Sequence, residues 1–162
     1  MAASIFDEIL AELRHYAAAA PSFAALQQFT VERIDRRLPH YNWTGFYMLD
    51  PADSTMLVLG SYCGAATEHV RIPVSEGICG AAVAQAETLV IDDVTSDPRY
   101  LACSLETRSE IVSPIRVNGA IVGELDIDSH TPAAFTARDR AFLEAVAELV
   151  GQFLSDHTTR SS

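Results

Sequence analysis

Basic residues are scarce in this chain, with 11 lysines and arginines against 22 aspartates and glutamates, for a formal net charge of −11. A phosphate backbone needs a basic patch on its partner, so no nucleic acid is expected here. Long apolar runs are missing too. None approaches the roughly 18–20 residues of a membrane span, so no membrane partner is expected. The start, Met1-Ala-Ala-Ser-Ile-Phe-Asp-Glu, has no basic segment and carries an early acid, unlike a secretory signal. Cysteines number only three, an odd count with no CxxC spacing. That combination points to a reducing cytoplasm, where cysteines are catalytic, redox-active or buried rather than bridged. Cys63, His69, Cys79 and Cys103 match none of the usual zinc-ligand spacings, so no metal is expected. Gly77-Ile-Cys79-Gly80 lacks the flanking glycines and the βαβ setting of a nucleotide fingerprint, and no cofactor is expected.

No repeat, low-complexity stretch or linker divides the 162 residues, and 49% of them are hydrophobic. One domain spanning 1–162 with one sizeable core is the expectation. Its ends read as helical. Ile5, Ile9, Leu10, Leu13 and Ala17 recur at helical spacing, with Ser4 as cap and Pro21 as stop. Phe23, Leu26, Phe29, Ile34 and Leu38 mark a second helix, stopped by Pro39. A last helix starts at Thr136, with Asp139 placed to counter the N-terminal dipole and a stripe from Phe142 to Phe153. Between them lie expected strands at Asn42–Leu49, Met56–Tyr62, His69–Ile72, Thr88–Asp92, Ile111–Val117 and Ala120–Asp128, with a helix at Ile78–Ala86. This is an α+β pattern: an antiparallel sheet with terminal helices on one face. The other face is left for a pocket, roofed by Cys63–Glu68 and Val94–Arg108.

The most informative stretch is the hairpin Ser109–Val117 and Ala120–Asp128 around Asn118-Gly119, a strong tight-turn signal. Side chains alternate along a strand, so Asp126 and Asp128 share a face, and Leu125 and Ile127 take the other. Pairing brings Glu110 near the end of the second strand. Three carboxylates converge, and neither strand has a lysine to neutralise them. Like charges this close raise one another's pKa unless a cation sits among them. The cluster reads as a receptor for a cation, either a metal ion or the ammonium of a small molecule.

Three further features are candidates for the same pocket. Trp43 and Tyr47 share a strand face and are either core aromatics or a wall for an apolar or sulfur-containing group. Cys79 sits at a helix N-terminus, as either a stabilised thiolate or a small buried side chain. Cys103 follows Asp97-Pro98 in a loop, as either a nucleophile or an inert thiol.

Asn42-Trp-Thr-Gly-Phe-Tyr47, Val70-Arg-Ile-Pro-Val74, Gly77-Ile-Cys-Gly80, Leu101-Ala-Cys103, Ser109-Glu-Ile-Val112 and Leu125-Asp-Ile-Asp-Ser129 stand in an order that resembles free methionine-(R)-sulfoxide reductase, a family built on a GAF domain. The resemblance runs over about residues 23–155. It implies a GAF-like, six-stranded antiparallel sheet flanked by helices, usually in a homodimer. It implies free methionine sulfoxide in a closed pocket, its ammonium on Glu110, Asp126 and Asp128 and its sulfoxide methyl against Trp43 and Tyr47. Asp92 or Asp93 would hold the substrate or polarise the sulfoxide. Cys103 would attack the sulfur and become a sulfenic acid, and a second thiol would form a disulfide that thioredoxin or a similar thiol reductant reduces. There are two departures. The family's usual resolving cysteine is replaced by His69, and Glu124 stands where an apolar residue is usual, facing the pocket side with Asp126. Cys79 keeps its family position and is the expected resolving thiol, while Cys63 has no counterpart. The other class of reading is a non-catalytic GAF sensor for a small cationic or amino-acid ligand. A reactive Cys103 separates the two, and a chain without an output module favours the enzyme.

Overall fold

The computed structural model describes residues 4–101 and 106–160. Helix α1 spans Ile5–Ala17 and opens on a capping box in which Ser4 and Asp7 satisfy each other's backbone N–H groups. It ends before Pro21, at a cap on Ala18. Helix α2, Phe23–Arg37, is capped by the Ser22 hydroxyl, which accepts from Ala25 N. Helix α4, Ala137–Arg160, starts where Asp139 accepts from the Thr136 amide at 2.9 Å and the Thr136 hydroxyl at 2.7 Å. The other oxygen of Asp139 accepts from the buried Tyr41 hydroxyl, tying the start of α4 to the segment that enters the sheet.

Six strands form one antiparallel sheet: β1 Trp43–Asp50, β2 Asp53–Cys63, β3 Arg71–Pro73, β4 Leu89–Ile91, β5 Ser109–Val117 and β6 Ala120–Ser129, in the order β3-β2-β1-β6-β5-β4. Asn118 at φ 52° and Gly119 at φ 83° make the turn between β5 and β6, the left-handed pair that a two-residue hairpin favours. Strand β2 starts before Met56, because β1 and β2 meet in a turn that pairs Asp50 with Asp53. Strand β3 starts at Arg71 rather than His69, because Val70 N turns back to Glu68 O. The remaining helix, α3, runs Gly77–Gln85, with Ala86 as a left-handed cap.

The sheet separates two apolar layers. Phe46, Ile111, Ile115, Leu125 and Ile127 pack under α1, α2 and α4. Trp43, Tyr47, Leu57, Ile72 and Val112 pack on the opposite face with Ile78, Cys79 and Ala82 of α3 and with Val94. The second face is therefore roofed by a helix as well as by irregular segments. Among the described residues no helix is long and apolar enough to cross a membrane.

Candidate active site

The ladder fixes the acids. Glu110 pairs with Asp128 and Val112 with Asp126 across β5–β6, while Trp43 pairs with Asp128, Gly45 with Asp126 and Tyr47 with Glu124 across β1–β6. Glu110, Glu124, Asp126 and Asp128 thus come together on the α3 side, none more than 4% exposed. One oxygen each of Asp126 and Asp128 has no hydrogen-bond partner among the described residues, and Glu124 lies against the Cys79 thiol. Burial drives all four carboxyls above their ordinary range. The charges of Asp126 and Asp128 push Glu110 further up. Hydrogen bonds from Glu110 and Cys79 offset part of the rise at Asp126. Buried carboxyls so close together favour a bound proton or a cation.

Helix α3 delivers Cys79 to that hole. Gly77, at φ 71°, turns the chain into the helix, and Gly80 lets the first turn lie so close to Val74 that a Cβ there would be 2.9 Å from its carbonyl oxygen. The Cys79 thiol donates to Asp126 Oδ2 at 3.5 Å. Burial pushes this thiol well up, and the charges of Asp126, Glu124 and Glu110 push it further. The helix N-terminus does not make Cys79 a thiolate, because desolvation and neighbouring anions outweigh the dipole. Cys63 pairs with Thr44 at the end of β2 and packs with the helix-face core. Burial and the charges of Asp35 and Glu32 raise its thiol. The sheet therefore lies between Cys63 and Cys79, which breaks up the zinc set weighed from sequence.

The aromatic pair does face the site. The Trp43 and Tyr47 rings stack at 6.2 Å, and Trp43 also stacks on Tyr62 at 5.5 Å. Both aromatics are held by their polar tips: Trp43 Nε1 donates to Ala65 O at 3.0 Å, and Tyr47 OH donates to His69 O at 2.8 Å. Gly45 makes room for the indole, since a Cβ there would be 2.4 Å from the Trp43 ring. Both rings belong to the buried apolar layer beneath α3.

The GAF domain family model matches residues 2–154. The free methionine-R-sulfoxide reductase of Escherichia coli is 41% identical over 131 residues, covering 81% of this chain and 75% of that protein. This chain belongs to the free methionine-R-sulfoxide reductase family of GAF domains. Protein YtsP of Bacillus subtilis is 43% identical over 118 residues, 73% of this chain and 71% of that one. The X-ray structure of the Neisseria meningitidis free methionine-R-sulfoxide reductase in complex with its substrate superimposes with a TM-score of 0.90 at 30% identity, covering 100% of this chain and 96% of that chain.

Set against this family, the remaining candidates divide. A narrow cavity between the sheet and α3 is lined by Cys79, Glu110 and Asp126 together with His69, Ile78 and Leu101. His69 lies on the wall of the cavity. Leu101 and Ile78 carry no chemical signal in the sequence and emerge only from the fold. Cys103 lies outside the described residues, two positions beyond Leu101. Trp43, Tyr47 and Asp128 are buried on the same face without lining the cavity, and Asp92 and Asp93, exposed at the end of β4, do not line it either. Asp93 spends both oxygens on its own turn, accepting from Thr95 N at 3.0 Å and Ser96 Oγ at 2.9 Å. The Thr95 hydroxyl, donating at 2.6 Å, and then the Ser96 hydroxyl and Thr95 amide hold its carboxyl below the ordinary range.

Proposed function

We propose that this protein reduces free L-methionine (R)-sulfoxide to methionine at the cavity between α3 and the sheet. The observation that carries the reading is the set Glu110, Asp126 and Asp128, three buried carboxyl groups on the α3 side of the sheet, with one oxygen each of Asp126 and Asp128 unpartnered among the described residues. They suit the ammonium of a free amino acid, which a peptide-bound residue lacks. Trp43 and Tyr47 offer the sulfoxide methyl an aromatic wall. The relatives' names and the substrate complex of the Neisseria protein support the same substrate.

In this reading Cys103 attacks the sulfoxide sulfur. The sulfoxide oxygen takes up a proton from an acid as the sulfur is attacked. Methionine departs and the oxygen stays on Cys103 as a sulfenic acid. Cys79 condenses with it, forming a disulfide and releasing water, and a dithiol such as thioredoxin returns both cysteines to thiols. Asp92 and Asp93 would have to act from outside the cavity described above. The chain works as one domain in the cytoplasm, as a homodimer.

The test is incubation of the reduced protein with the separate R and S isomers of free methionine sulfoxide and dithiothreitol, with methionine measured. Methionine from the R isomer alone is expected. Binding without methionine from either isomer would replace the enzyme by a ligand sensor.

A further inference from the structure

Four buried carboxyl groups are more than one ammonium requires, and a free amino acid brings a carboxylate of its own. The surplus is Glu124, fully buried against the Cys79 thiol, and Asp126 beside it keeps one buried oxygen without a partner among the described residues. Beside it, one donor atom each from Cys79, Glu110 and Asp126 lie within 4.8 Å of one another. We propose that Cys79, Glu110 and Asp126 form a binding site for a divalent cation of zinc's character, with one sulfur and two carboxylate oxygens as ligands.

The distances fit. Zinc bonds of about 2.3 Å to sulfur and 2.0–2.2 Å to oxygen place two tetrahedral donors roughly 3.5 Å apart. Cys79 Sγ and Asp126 Oδ2 already stand at 3.5 Å. The thiol selects the metal class, because calcium and magnesium take oxygen ligands whereas a sulfur ligand suits zinc. Three protein ligands leave a fourth position for water. Glu124 adds charge without being needed as a ligand, which distinguishes this chain from a pocket with three acids. The bound cation would stand where the ammonium of an amino acid stands and would occupy Cys79, so zinc acts as a reversible inhibitor. That competition rests on the reading of the pocket given above, whereas the metal site itself does not.

Cobalt(II), whose thiolate complexes are coloured, is the probe. It is titrated into reduced protein carrying Cys63→Ser and Cys103→Ser, so that Cys79 is the one remaining thiol. One cobalt per chain with a sulfur-to-metal charge-transfer band, bleached by one equivalent of zinc, is expected. Adding Cys79→Ser should abolish the band, and adding Glu110→Gln should weaken cobalt binding at least tenfold, with circular dichroism checking the fold of each variant. No band in the Cys79-only protein, or undiminished affinity in the Glu110→Gln variant, overturns the proposal. Zinc titrations in rising concentrations of methionine then test competition. Intact metal binding that methionine does not weaken would sink the amino-acid reading of the cavity and leave the metal site standing.

Discussion

Glu110 and Asp128 stand directly opposite each other across the β5–β6 ladder, both buried. At neutral pH two buried carboxyls so placed cost stability, because each resists ionisation beside the other and must take up a proton. Neutralising one should therefore stabilise the ligand-free fold while harming recognition. Glu110→Gln or Asp128→Asn is expected to raise the urea midpoint at neutral pH, by an amount on the order of 1 kcal/mol. The same variants should lose about 1.5–3 kcal/mol of affinity for the free amino acid, the worth of a charge-assisted hydrogen bond. Calorimetric binding measured beside the unfolding curves checks both signs at once. The acetylated substrate, lacking an ammonium, should bind poorly even to the unaltered protein.

The pH dependence follows from the raised carboxyls. In the folded protein Glu110, Glu124, Asp126 and Asp128 hold protons at pH values where the unfolded chain has released them. The native state then binds more protons, so stability falls as pH rises above the unfolded carboxyl values near 4 to 4.5. The decline is limited to about 1.4 kcal/mol per pH unit for each group and stops once its folded pKa is passed. Thermal melts of ligand-free protein between pH 5 and pH 8 should show a falling midpoint, and a bound cation should flatten the slope. A midpoint that climbs over that window would contradict the burial of these acids.

Cys103→Ser should abolish methionine formation while leaving the circular dichroism spectrum and ligand affinity unchanged. Near-normal turnover by this variant would remove Cys103 from the chemistry.

For recycling, the two described cysteines should behave differently. Cys79→Ser is expected to lose thioredoxin-supported turnover and keep a single turnover. Cys63→Ser should change little, because the sheet lies between it and the cavity. Because burial and nearby anions keep the Cys79 thiol protonated, disulfide formation should accelerate as pH rises. His69→Cys, which restores the family's thiol on the cavity wall, should raise the thioredoxin-dependent rate. Peptide mapping after one turnover decides the pairing, and a Cys63–Cys103 bridge would reverse it.

Gly45→Ala puts a methyl 2.4 Å from the Trp43 ring in the present geometry. The indole must leave its stack on Tyr47 and Tyr62, at a cost of about 1–3 kcal/mol. Loss of tryptophan near-ultraviolet dichroism together with a raised KM is the expected signature.

Much of this was legible in the chain. The carboxylate face could be read because alternation and an Asn-Gly turn fix strand direction locally, and Ser4, Ser22 and Thr136 announce helix starts by chemistry that needs no tertiary context. The state of Cys79 could not be read in the same way. Its position on α3 suggests a thiolate, and only the fold sets three carboxylates beside it and removes the water. The side of the sheet on which Cys63 ends depends on a bulge in the β1–β2 register between Gly45 and Tyr47. Asp93 resembles a substrate ligand in sequence and is consumed by its own turn, a choice made by hydroxyls two and three residues on. The metal set is invisible in sequence because its ligands come from α3, β5 and β6.

The Asn118-Gly119 turn sits at the far end of the hairpin from Glu110 and Asp128, yet it decides what chemistry the protein can do. A slip of one residue between β5 and β6 would turn Asp126 and Asp128 into the layer under α1, α2 and α4 and present Leu125 and Ile127 to the cavity. Such a chain could keep much of its sheet and have no cation receptor at all. Asn118, at φ 52°, and Gly119, at φ 83°, together with the register shift between Ile115 and Arg116, thus guard the function by aligning the two strands, and a population of inactive, mis-threaded molecules is the failure to look for when either turn residue is replaced.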